Sequence, residues 1–151
     1  MKTQNQKKST NKGTKITFWT TTTIIFLMEG ILPALTSQTE LAKQGVQHLG
    51  YPLYFGNAFV IFKVLGTLAL IIPKVPARIK EWAYAGFAFD FIFASISHSA
   101  VDGVNFQSFF PIIFLLILAV SYVSYHKLTN NKSVIADSPA QQYNGQEIKV
   151  A

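Results

Sequence analysis

Four long apolar segments, separated by shorter polar ones, dominate the pattern of the chain. They cover residues 16–35, 52–72, 82–99 and 108–125. Each is close to the roughly 20 residues that a helix needs to cross the hydrocarbon core of a bilayer. The pattern predicts an all-α fold, an integral membrane bundle of four transmembrane helices, within a membrane domain at residues 16–127.

Prolines mark the ends of these helices. Pro33 is expected to end or kink the first helix, Pro52 suits the first turn of the second, and Pro73 closes it. The polar segment 36–51 is predicted to be a loop. It holds an imperfect amphipathic turn, too weak to predict a helix, around Leu41, Val46 and Leu49.

Both ends of the chain are polar. Residues 1–15 carry five lysines and no acidic residue, and residues 128–151 carry mixed charges. Neither end buries enough apolar surface to fold alone, so both are predicted to be disordered tails. A nucleic-acid arm is the alternative for the basic end, and a signal peptide is the alternative for the first apolar segment. Its length and Glu29 favour a retained helix.

The composition agrees with a membrane domain. Of 151 residues, 50% are hydrophobic and 13% are charged, against about a quarter charged in soluble domains. The net charge of +6 comes mainly from lysines in the tails and from Lys74, Arg78 and Lys80 in the loop at 73–81. That distribution indicates membrane topology, with both termini in the cytoplasm, and no nucleic-acid partner is expected.

The chain has no cysteine, which excludes thiolate nucleophiles, iron–sulfur ligation and cysteine-based zinc sites. It also has no glycine-rich phosphate loop and no metal-binding motif. We therefore predict no catalytic residue, no metal site and no enzyme activity of the chain on its own. A redox role would need a bound cofactor, with a quinone as the candidate, or a partner protein.

Ionisable side chains stand inside three of the apolar segments. Glu29, Lys63 and Asp90 lie within one or two helical turns of the predicted midplane, counting about 1.5 Å per residue. A charge in hydrocarbon costs about 2.5–3.5 kcal/mol, so these side chains are expected to face inward and to meet. On a helical wheel Asp90 shares its face with a small, polar seam, namely Ala83, Gly86, Ala94 and Ser97.

This charged interior has two interpretations. In the functional one it lines a pocket where Lys63 binds an anionic or carbonyl group and Asp90 or Glu29 exchanges a proton. In the architectural one Lys63 pairs with one or both acids and determines which helix faces meet, without a ligand. The presence of two acidic residues and one basic residue is compatible with both interpretations.

His98 lies near the end of the third predicted helix. A histidine there can take a proton, bind a metal or hydrogen-bond a quinone carbonyl, or it can be an ordinary interfacial side chain. We include it with Glu29, Lys63 and Asp90 in a candidate intramembrane polar site. The thirteen phenylalanines suit a quinone ring as well as lipid-facing packing.

The stretch from Lys63 to Asp90 resembles the corresponding part of the DoxX-like membrane proteins. The residues that carry the resemblance are Lys63-Val-Leu-Gly66, Leu70 to Pro73, Pro76, and Lys80-Glu-Trp-Ala-Tyr-Ala-Gly86. The resemblance implies a small four-helix protein of the bacterial inner membrane. It also implies a superfamily that includes DoxD-type subunits of quinone-linked oxidoreductases, and it brings no catalytic signature.

The expected function is therefore that of an accessory or partner-dependent component of a membrane, quinone-linked redox or stress system. Its partners would be the lipid bilayer and a membrane redox protein. Two alternatives stay open: a small-molecule or proton carrier acting as a homo-oligomer, because transporters usually need two repeats about a midplane site, and a structural scaffold without a ligand.

Overall fold

A computed structural model describes residues 2–136, with side chains described for residues 12–130. This part of the chain is helical and contains no strand, which confirms the all-α prediction. In chain order the elements are α1 (Lys2–Ile25), a π-helix (Phe26–Ile31), α2 (Leu32–Thr36), α3 (Glu40–His48), α4 (Leu53–Ile71), α5 (Ala77–Asp102) and α6 (Phe106–Ala136).

The long helices pack side by side. α6 contacts both α1 and α5, while α4 contacts α5 and the π-helix, and the short α3 lies against α4. The buried apolar residues gather between these helices and include Ile25, Leu70, Phe87 and Leu118. The π-helix, α4 and α5 carry the three ionisable residues Glu29, Lys63 and Asp90, which are described in the next subsection.

Among the described residues, three helices are long and apolar enough to cross a membrane. They are Lys12–Thr36, Leu53–Ile71 and Phe106–Asn130. α5 has 26 residues but is not among them, because Asp90, His98 and several serines lower its hydropathy. The outward faces are rich in large apolar side chains such as Phe62, which is 70% exposed. The chain is thus a multi-pass membrane protein with three of the four predicted spans supported.

The helix ends differ from the predicted ones at both termini. α1 begins at Lys2, inside the segment that we predicted to be a disordered tail. This segment has no proline and several lysines and glutamines, which are good helix formers, so the membrane helix can continue through it. α6 continues to Ala136, and the rest of the predicted C-terminal tail, residues 137–151, lies outside the described residues.

The basic loop after α4 is shorter than predicted, because α5 already begins at Ala77. Lys80, which we expected in that loop, is only 4% exposed. Its Nζ donates a hydrogen bond to the Leu70 carbonyl at 2.9 Å and lies 5.6 Å from the centre of the Tyr125 ring. Lys80 therefore caps the C-terminal end of α4, where unpaired carbonyls favour a cation.

The segment predicted to be a loop between the first two membrane helices contains α3. Thr39 caps it, since the Thr39 Oγ1 accepts a hydrogen bond from the Ala42 N–H at 3.3 Å. Gly50 follows its end with a φ of 83°, a conformation that glycine adopts without strain. These two local signals define the helix where the apolar pattern alone was too weak.

Pro33 does not end the first membrane helix. In an α-helix its ring would clash with the carbonyl four residues earlier, and here a wide π turn precedes it, in which the Leu32 N–H donates to the Leu27 carbonyl. The helical chain then continues to Thr36. The wide turn contains Glu29 and Gly30.

Candidate functional site

The structure brings together three of the four predicted site residues. The Lys63 Nζ lies 2.6 Å from the Glu29 Oε2 and 3.0 Å from the Asp90 Oδ2. The three side chains come from the π-helix, α4 and α5, and 12%, 19% and 7% of Glu29, Lys63 and Asp90 is exposed. We call these three residues the ion cluster.

Two close approaches hold α4 against its neighbours about one turn from Lys63. A Cβ added to Gly30 of the π-helix would lie 2.5 Å from the Thr67 Oγ1, and a Cβ added to Gly66 would lie 2.9 Å from the Phe87 Cε2. Both distances are too short for a side chain. The two glycines therefore allow the helix spacing that puts an acid on each side of Lys63.

The charges in the ion cluster do not balance. Two carboxylates face one ammonium group, which leaves one negative charge if all three are ionised. The Lys63 ammonium donates its hydrogen bond to Glu29. The Asp90 Oδ2 is close enough to Lys63 for an ion pair, but within the described residues it has no partner with hydrogen-bond geometry. Asp90 is thus the acid that can take a proton or contact a ligand.

A cavity of about 710 Å³ extends from the ion cluster to α3, between α4 and α5. Lys63 and Asp90 form one end of it, and the walls are largely aromatic. Tyr51, Phe55 and Phe59 stack with ring centres 5.0 and 5.6 Å apart, and Phe89 and Phe93 face them from α5. The small seam predicted around Asp90 also lines the cavity, through Gly86, Ala94 and Ser97.

The cavity is open at the side and covered at one end. Phe89 and Phe93 line it, yet they are 61% and 59% exposed, so part of each ring faces the surroundings of the helices. For a helix in a membrane those surroundings are lipid. At the other end, residues of α3 cover the cavity, namely Ala42, Gly45 and Val46, with Leu49 just beyond the helix.

His98 lines the cavity but does not join the ion cluster. Its Nδ1 lies 3.0 Å from the Asp102 Oδ2, and the His48 Nε2 lies 2.5 Å from the Asp102 Oδ1. Hydrogen bonds from His98 and His48 hold the pKa of the Asp102 carboxyl below its usual value. No group of three or more His, Asp or Glu residues in the described part of the chain is placed to hold a metal ion.

The sequence analysis missed this outer contact. His48 and Asp102 are 54 residues apart, and both lie between the predicted membrane helices. The sequence analysis also missed a polar contact between α6, α1 and α5. The Ser121 Oγ of α6 lies 2.8 Å from the Thr22 Oγ1 and 3.0 Å from the Tyr84 hydroxyl. These hydroxyl groups satisfy one another, which is typical of a structural contact.

Comparison with known proteins gives one match. The model of the DoxX-like family matches residues 17–121, which is 105 of the 151 residues. The matched range contains the ion cluster, His98 and the whole lining of the cavity. No curated protein and no solved structure matches the chain.

Proposed function

We propose that this chain, which belongs to the DoxX-like family, binds a lipid-soluble carbonyl compound of the quinone class in the cavity next to Lys63 and Asp90. It would serve as an accessory or partner-dependent component of a membrane redox or stress system and would not be an enzyme on its own. One observation carries the proposal: an aromatic cavity of about 710 Å³ ends on a largely buried ammonium group and an incompletely satisfied carboxylate.

The proposal includes a membrane arrangement. α5 is the fourth membrane helix and completes a four-helix bundle, since its 26 residues exceed the roughly 20 that a span needs. Both termini and the basic connection after α4 face the cytoplasm, and α3 lies on the outer surface of a bacterial inner membrane. The one-sided distribution of lysine and arginine supports this orientation.

The size and walls of the cavity suit a flat conjugated ring. Ligand cavities commonly measure about 300–1,000 Å³ and combine apolar walls with a few polar groups. A ring would stack between the Phe55–Phe59 pair and the phenylalanines of α5, where aromatic contacts are favourable. An apolar tail would leave between Phe89 and Phe93 into lipid, which favours a ligand that reaches the site from the bilayer.

The polar end of the cavity suits a carbonyl oxygen. Lys63 has three donor hydrogens, of which one goes to Glu29, so it can donate another to a ligand. A proton on Asp90 would make the ion cluster neutral and would turn this carboxyl into a second donor. A quinone supplies two-electron, two-proton chemistry when it is bound. The residues of this chain bind it, orient it and hold a proton, while electrons come from a partner protein.

Extraction of the purified protein tests the proposal. We expect the parent protein, isolated from its membranes in mild detergent, to contain a quinone that organic solvent extracts. Lys63→Ala should lower the quinone-to-protein ratio about tenfold, the effect of losing one charge-assisted hydrogen bond. Lys74→Ala removes an exposed lysine at the end of α4 and should leave the ratio unchanged.

Two results would contradict the redox proposal, the first from this extraction and the second from a transport assay. One is an equal quinone content, or none, in the parent, Lys63→Ala and Lys74→Ala proteins. The other is substrate-dependent proton movement into liposomes that Asp90→Asn abolishes, which would identify a proton-coupled carrier. The charge excess of the ion cluster is the observation that favours this second function, because one of its two acids is free to bind and release a proton.

A further inference from the structure

We infer that α3 is a lid on the cavity, held closed by a latch between His48 of α3 and Asp102 of α5. The lid closes an aqueous entrance to the site, distinct from the lateral opening between Phe89 and Phe93. The identity of the ligand rests on the proposed function, but the lid and the latch do not.

α3 closes the end of the cavity with one face. Ala42, Gly45 and Val46 lie on that face and line the cavity, together with Leu49 just after the helix. The opposite face carries Gln44 and Gln47, which are exposed. A nine-residue amphipathic helix therefore stands between the solvent and the apolar interior.

The contacts of α3 differ between its two sides. On the α4 side Val46 packs tightly on Gly56, where an added Cβ would lie 3.1 Å from the Val46 Cγ2. The Gln38 amide also donates a hydrogen bond to the Asn57 Oδ1 at 3.1 Å. On the α5 side the helix itself is joined through the 2.5 Å contact between His48 and Asp102. This distribution makes α4 the side on which α3 pivots.

Short connections flank α3. A turn at Ser37–Thr39 precedes it, and Gly50 follows with its φ of 83°. Lid movements usually occur about a few loop residues at the ends of the moving element. The Tyr51 hydroxyl, which lies 2.7 Å from the Ser97 Oγ, anchors the chain beyond this hinge, so α3 can lift while α4 stays in place.

The latch stands where water reaches it. The His48 side chain is 59% exposed, whereas Asp102 is 18% exposed. Asp102 accepts from His48 through one oxygen and from His98, a residue of the cavity wall, through the other. The lid, the latch and the cavity wall are thus one hydrogen-bonded unit, and the loss of Asp102 releases α3 from α5.

Cysteine accessibility tests the lid directly, because the chain has no cysteine of its own. Ala94→Cys places one thiol in the cavity, and Ala100→Cys places one on the exposed outer end of α5. Each variant is put into nanodiscs, where both faces are accessible, and is reacted with a water-soluble, membrane-impermeant maleimide. With the latch intact, we expect the cavity thiol to react far more slowly than the thiol on the outer end of α5.

Opening the latch should speed the reaction of the cavity thiol alone. In the Ala94→Cys protein, Asp102→Ala and His48→Ala are each expected to raise the labelling rate about tenfold, since a charge-assisted hydrogen bond is lost. Glu40→Gln is the matched control on α3. It removes the ion pair with Lys43 but not the latch, and it should leave the rate unchanged, as all three changes should in the Ala100→Cys protein.

Two results would overturn the lid. One is that the Ala94→Cys protein reacts as fast as the Ala100→Cys protein with the latch intact, and the other is that neither latch variant changes the rate of the cavity thiol. His48→Ala alters an exposed side chain, so it keeps the test valid if Asp102→Ala fails to fold. Quinone is removed from the protein before it is put into nanodiscs, so none is present in the assay. A failed lid therefore leaves the quinone proposal standing with its lateral entrance, and a failed quinone proposal leaves the labelling result unaffected.

Discussion

Lys63→Leu is expected to destabilise the detergent-solubilised protein by about 3–5 kcal/mol, because removing one partner leaves the others as uncompensated buried charges. The Lys63 ammonium contacts carboxylates of two other helical segments, at 2.6 and 3.0 Å. Without it, Glu29 and Asp90 face each other with no cation between them. The midpoint of thermal unfolding, followed by helical circular dichroism, measures the loss.

Replacing the two acids with neutral residues should restore the stability that Lys63→Leu loses. Combining Lys63→Leu with Glu29→Gln and Asp90→Asn removes every charge of the ion cluster, and most of the lost stability should return. Asp90→Asn alone should change stability little, because it leaves one lysine against one glutamate. Lys74→Leu, in the exposed connection after α4, is the control for loss of a lysine. If Lys63→Leu is as stable as the parent, the ion pairs are not structural and Lys63 faces water or a ligand.

Gly30→Ala is expected to cost about 1–3 kcal/mol, the usual range for overpacking a filled interior. Its Cβ would lie 2.5 Å from the Thr67 Oγ1 and 3.2 Å from the Thr67 Cβ, so the π-helix and α4 must separate. Because Glu29 and Lys63 come from these same two elements, their ion pair should lengthen as well. The measurement is again the unfolding midpoint in detergent.

A second substitution separates crowding from a general effect of alanine. Thr67→Ala removes the Oγ1 and Cγ2 atoms but leaves the Cβ, so it should restore only part of the stability of Gly30→Ala. Gly86→Ala, with no atom within 4 Å of the added Cβ, is the matched control and should be neutral or slightly stabilising, since alanine is the better helix former. An equal loss in Gly30→Ala and Gly86→Ala would show that the close approach to Thr67 is unimportant.

The ion cluster could be predicted from the sequence because the physics of a bilayer leaves few choices. A charge in hydrocarbon has to face inward and find a partner, and positions near the midplane on three helices place Glu29, Lys63 and Asp90 together. The helical wheel around Asp90 also identified residues that line the cavity, including Gly86 and Ala94. The resemblance to the DoxX-like family is confirmed by the match over residues 17–121.

The outer part of the site could not be predicted in this way. The contact between His48 and Asp102 joins residues 54 positions apart, and no local pattern specifies which residues at the helix ends of a membrane protein will meet. The sequence analysis did not predict α3, because it considered only the weak apolar periodicity of this segment. It did not consider the two residues at the ends of the helix, Thr39 and Gly50. The cavity itself is space between side chains of α4 and α5, which a helical wheel does not measure.

The π-helix could not be predicted from the sequence for a different reason. Pro33 correctly indicated a disturbance in the first membrane helix, but sequence alone does not say how the chain relieves the steric conflict. A kink, an end or a wide turn would each relieve the clash of the proline ring and accommodate its missing N–H. The structure uses the wide turn at Phe26–Ile31, and that choice brings Gly30 against Thr67 and Glu29 against Lys63.

Photoaffinity labelling tests the central claim, that the cavity between α4 and α5 holds a quinone-class ligand. A photoreactive short-chain quinone is irradiated with the protein in nanodiscs, and the modified residues are mapped by mass spectrometry. We predict labelling within residues 51–63 and 86–98, competed by unlabelled quinone and lost when Ala94→Trp fills the cavity. Labelling spread over the lipid-facing surface of α6, and unchanged by Ala94→Trp, would contradict the proposed site.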